Sequence, residues 1–79
     1  MKQAILATVV SVENKSSDSV VVELESDALE DAAEIVSTGL NLEGSKKRRG
    51  SRLEVTCNGD PKAEPSDKVA VVVKTLKQD

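Results

Sequence analysis

The chain has 79 residues, with 11 basic and 14 acidic side chains, a net charge of −3, one cysteine, and no Phe, Tyr, Trp or His. That length suits a single domain spanning 1–79. The composition removes imidazole general-base catalysis, imidazole metal ligation, an intramolecular disulfide, a cysteine-rich zinc site, an aromatic cage and a base-stacking platform. The large apolar residues are 12 Val, 7 Leu, 2 Ile and Met1, so any core is aliphatic.

Residues 3–13, QAILATVVSVE, carry apolar groups on both alternation faces, which predicts a strand central in a sheet. The run Ala4–Val12 is far shorter than the ~20 residues of a membrane span, and no cleavage pattern follows it. The expectation is a cytoplasmic protein without a leader or a membrane segment. Residues 14–18 read as a polar turn, and SVVVELE at 19–25 alternates with Val20, Val22 and Leu24 inward, which predicts an N-terminal hairpin.

The period changes at Asp27. Asp27-Ala28-Leu29-Glu30 has the form of a capping box, and Leu29, Ala32 and Val36 follow at helical spacing, with Gly39 placed as a terminator. This predicts one α-helix over about 27–38. Leu40 and Leu42 alternate with Asn41 and Glu43 as a short strand would. Residues 44–50, GSKKRRG, read as a glycine-bounded basic loop. SRLEVTC at 51–57 alternates again, with Leu53, Val55 and Cys57 inward and Arg52, Glu54 and Thr56 outward. Asn58-Gly59-Asp60-Pro61 signals a turn. Residues 68–76 admit either a strand or a capped helix, and four valines in five residues favour the strand.

The expected fold class is α+β: a small antiparallel sheet of about five strands, in the order β-β-α-β-β-β, packed on one helix. So thin an aliphatic core is marginal for a lone monomer. A homo-oligomer is therefore expected, with the valine-rich chain ends as its exposed sheet edges.

Charge is segregated along the chain. Residues 13–34 hold eight acids and one base, whereas residues 43–52 hold five bases and one acid. Two candidate binding surfaces follow. The first is an acidic patch of Glu23, Glu25, Glu30, Asp31 and Glu34, suited to a basic protein partner. The second is the basic loop Lys46, Lys47, Arg48 and Arg49 with Arg52, suited to phosphates or to acidic protein. No calcium-loop pattern, glycine-rich phosphate loop or nucleophile with an adjacent base is present, so no catalytic residue, metal ligand or cofactor is assigned. The expected function is a small non-catalytic protein-interaction module: an adaptor, an inhibitor or an assembly subunit, of a kind that a phage or plasmid encodes. The alternative is a nucleic-acid-binding accessory protein that contacts phosphates through Lys46–Arg49.

Overall fold

In the computed structural model, residues 2–39, 42 and 44–75 are described. Six strands form one antiparallel sheet: β1 (Lys2–Ser16), β2 (Ser19–Glu25), β3 (Ala32–Thr38), β4 (Gly44–Arg49), β5 (Arg52–Asn58) and β6 (Lys68–Thr75). Their spatial order is β3-β6-β1-β2-β5-β4, and the sheet curls into a nearly closed barrel. The fold is therefore almost all-β, with 70% of the described residues in strands and no helix of seven residues or more among them. This corrects the α+β expectation. No described helix is long and apolar enough to cross a membrane.

Strand β1 organises the sheet. Its first half pairs with β6, from Lys2↔Lys74 to Thr8↔Lys68, and its second half pairs with β2, from Thr8↔Glu25 to Ser16↔Ser19. One strand changes neighbours because its register with β2 shifts between Val9 and Ser11, a bulge that bends the strand and adds twist. The bend is fastened by the connection before β6: the Val9 N–H donates to the Asp67 carbonyl at 2.8 Å, and the Ser66 N–H donates to the Val9 carbonyl at 2.8 Å. The bulge also resets which residues face in. Ala7 and Val9 are buried before it, and Val12, opposite the fully buried Val22, packs on the core after it. The bulge thus accounts for Val12 at the even parity, whereas Leu6, at the same parity before it, is exposed.

The interior is the expected aliphatic set. Val20, Val22 and Leu24 of β2, Leu53, Val55 and Cys57 of β5, and Val69, Val71 and Val73 of β6 are all buried at period two. Leu29, Leu42 and Ala63 complete the core from the connections. At ~25 cal/mol per Å² of apolar surface removed from water, such burial is the main stabilising term in a chain of this size.

The segment expected to be a helix over 27–38 forms a single 3₁₀ turn, Asp27–Asp31, followed by strand β3. The cap is Ser26, whose hydroxyl accepts from the Ala28 N–H at 3.2 Å, one residue before the expected Asp27. The turn ends when the Ala32 N–H bonds to the Leu29 carbonyl and the chain becomes extended. The helix-like spacing has a different origin. β3 carries two register shifts against β6, between Ala32 and Glu34 and between Ile35 and Ser37. Each bulge inserts one residue, so Ala32, Ile35 and Thr38 face the interior at a spacing of three, close to the 3.6 of a helix. Val36, expected on the buried stripe, is exposed. Tertiary pairing overrides local propensity here, since a helix would leave one side of β6 without a ladder partner.

The segment expected to be a basic loop is strand β4, paired with β5 from Gly44↔Cys57 to Arg49↔Arg52 without a register shift. A two-residue turn, Gly50-Ser51, joins the two strands, and Gly50 supplies the positive φ of 63° that such tight hairpins use. The short strand expected at 40–43 lies largely outside the described residues, and Leu42 itself is buried. The expected strand at the C-terminal end is confirmed as β6. Both valine-rich ends are interior strands, however, so the sheet edges are β3 and β4 instead.

Gly44 is where β4 first meets β5. Its φ is 152°, and a Cβ built there would lie 1.8 Å from the Thr56 carbonyl oxygen. Gly44→Ala therefore has to push β4 off β5 and should cost at least about 2 kcal/mol, or roughly 10 °C in Tm. Gly50→Ala meets no neighbouring atom within 4 Å and should lose only about 1 kcal/mol through its backbone conformation. Thermal unfolding of the two variants checks this, and equal losses would contradict the close approach.

Candidate functional site

The pairing register lays out the barrel exterior over β1, β2, β5 and β4 row by row. One row reads Ser11, Glu23, Glu54, Lys47, and the next reads Thr8, Glu25, Arg52, Arg49. These side chains project outward because their neighbours Val22, Leu24, Leu53 and Val55 fill the interior. The Arg52 guanidinium spans both rows, with Nη1 3.1 Å from Glu23 Oε1 and Nε 3.7 Å from Glu25 Oε2. The Ser11 hydroxyl donates to the same Glu23 oxygen at 3.4 Å. Glu23, Lys47, Arg49, Arg52 and Glu54 line a shallow depression of about 90 Å³.

The two candidate surfaces are thus distributed differently from their order in the chain. Glu23 and Glu25 sit among the basic residues and hold Arg52, so Arg52 belongs to an ion-pair network as well as to the basic set. Glu30 and Asp31 lie exposed on the 3₁₀ turn. Glu34 lies on β3, which β6 and β1 separate from β2 along the sheet, and it faces Lys74 across the ladder at 4.0 Å. Glu54 joins the charged face opposite Lys47. Alternation had already placed it outward beside Arg52, but the β4–β5 register that gives it a cationic neighbour appears only in the fold.

The four consecutive cations divide between the two faces of β4. Lys47 and Arg49 pair with Glu54 and Arg52 on the outer face. Lys46 and Arg48 pair with the buried Val55 and Leu53, so they project toward the interior side, along the seam where β4 has no second strand neighbour among the described residues. Lys46 is half-buried, and its ammonium donates to the Gly44 carbonyl at 3.3 Å. The Arg48 guanidinium donates to the Gly50 carbonyl at 3.1 Å. Among the described residues, no carboxylate lies within 4.0 Å of any of these four cations.

Cys57 is the one thiol, and it is buried on the inner face of β5. Burial pushes its pKa above the ordinary value of 9.0, and the nearby Lys46 ammonium opposes this in part. The thiol therefore stays protonated and non-nucleophilic at neutral pH. Among the described residues no group of three or more His, Cys, Asp or Glu side chains converges as a metal site would require.

Comparison of the chain with protein-family models, with curated proteins and with solved structures gave no match.

Because the folded thiol titrates above the unfolded one, its contribution to stability is complete below pH 9.0 and is lost as pH rises through the folded value. Urea unfolding should show stability falling as pH rises above 9.0, and Cys57→Val should remove part of that fall. Native Cys57 should also react with a thiol reagent only at the rate at which the barrel opens. Rapid stoichiometric labelling of the folded protein would contradict its burial.

Proposed function

We propose that the protein is a non-catalytic protein-interaction module whose binding surface is the basic β4–β5 hairpin and whose partner is an acidic polypeptide surface. The observation that carries this reading is the edge strand β4, which presents Lys46, Lys47, Arg48 and Arg49 without a carboxylate within ion-pairing distance among the described residues. Four cations held side by side repel one another, and a partner supplying carboxylates relieves that repulsion.

Acidic protein fits this face better than a nucleic acid. On the outer face Glu54 stands opposite Lys47, and Glu23 and Glu25 flank Arg52, so the surplus positive charge is confined to the edge strand β4, whose outward backbone groups have a match in a polypeptide and none in a sugar–phosphate chain. The composition offers no aromatic side chain on which a base could stack. The absence of histidine, together with a single buried thiol, supports a binding role rather than a catalytic one.

Fluorescence-anisotropy titrations with polyglutamate and with single-stranded DNA of equal charge, at two salt concentrations, test the proposal. Polyglutamate should bind the more tightly of the two. Neutralising Lys46–Arg49 together to Ser should weaken that binding by at least about fourfold at low salt, since each of the four exposed pairs contributes ~0.2–1 kcal/mol. Tighter binding of DNA at matched charge and salt would overturn the reading in favour of a nucleic-acid partner.

A further inference from the structure

The two edges of the sheet are not equivalent. β3 is interrupted by two register shifts within seven residues, which breaks the row of outward N–H and C=O groups that another strand would need. β4 pairs with β5 over six residues with no shift, so alternate residues along it present regularly spaced backbone donors and acceptors toward the open seam. A regular edge of this kind is a template for one more strand.

Its side chains select what can be added. Because the four cations are consecutive, both faces of β4 are positive: Lys47 and Arg49 on the outer face, Lys46 and Arg48 on the seam side. A second copy adding its own β4 would bring like charges opposite one another, which is destabilising. An extended segment with acids only at alternate positions would satisfy one face alone. A run of consecutive Asp or Glu residues in extended conformation places a carboxylate beside each cation on both faces while its backbone continues the ladder.

We infer that β4 takes its partner by strand addition, accepting an extended tract of consecutive acidic residues as a seventh strand along Gly44–Arg49. This rests on the acidic-polypeptide reading given above and adds the mode of binding and the sequence character of the ligand. The ladder hydrogen bonds supply affinity, and the charge-assisted contacts to Lys46–Arg49 supply selectivity.

The test uses the full chain and two blocked peptides: an oligoglutamate long enough to span β4, and the same peptide N-methylated at every residue. N-methylation leaves every carboxylate in place and removes the backbone donors. Strand addition predicts that the unmodified peptide binds, and that the N-methylated peptide, which offers β4 no backbone donor in any register, binds at least about tenfold more weakly. It also predicts that alternate amides within Gly44–Arg49 gain protection from hydrogen exchange on binding. Equal affinity for the two peptides, or no added protection along β4, overturns strand addition while leaving electrostatic docking of acidic protein intact. No binding of the unmodified peptide at low salt overturns strand addition, and the polyglutamate–DNA comparison judges the broader reading separately.

Discussion

The architecture depends on one strand serving two neighbours. A core without aromatic rings has only aliphatic volume with which to exclude water, and a flat sheet of these strands would leave one side of its valines wet. β1 removes that problem by running for 15 residues, pairing first with β6 and then with β2, and bending at the Val9–Ser11 bulge. The backbone bonds between Val9 and Ser66–Asp67 hold the bend. With β1 bent, Val22, Leu24, Leu53, Val55, Val69, Val71 and Val73 converge on one interior, and every buried side-chain polar atom among the described residues is satisfied. The curvature that closes the core is the same curvature that leaves β3 and β4 as the two lips of a seam.

The lips are treated in opposite ways. β3 is made irregular by its two bulges, whereas β4 is regular but heavily cationic. Both are recognised protections against unwanted edge pairing, yet their consequences differ. A bulged edge disfavours every incoming strand through its geometry, while a charged edge discriminates by sign. Charge protection is conditional, and its condition is the absence of an acidic strand. This asymmetry underlies the proposal that the β4–β5 hairpin is the binding surface.

Much of this was legible in the residues, and the failures have identifiable causes. Strict alternation in SVVVELE and SRLEVTC located β2 and β5 and their inward faces correctly, because each is a regular strand buried on one side. The valines at 69–73 marked β6 for the same reason. Alternation failed wherever a bulge changed the period. In β3 two bulges convert a spacing of two into a spacing of three, and with the capping-type start at Asp27–Glu30 the segment reads as a helix. In 44–50 the signal was chemical: four adjacent cations between glycines look like a solvated tip, and only the long-range ladder to β5 makes them a strand. The candidate basic residues were therefore identified from composition, while their division between two faces of an edge was not, since that follows from register. The acidic candidates were grouped by sequence proximity, and the sheet distributes them over β2, the 3₁₀ turn and β3.

The account turns on β4 being a formed strand with one open side. Native-state hydrogen exchange on the isolated protein, read residue by residue, tests this most directly. The expected pattern is strong protection throughout β2 and β5 and of those β1 and β6 amides bonded to a neighbouring strand, and alternation within Gly44–Arg49, with the amides bonded to β5 protected and those facing the seam exchanging nearly as fast as in an unfolded chain. Uniform protection across β4 would contradict the open edge, and uniform rapid exchange would contradict the strand.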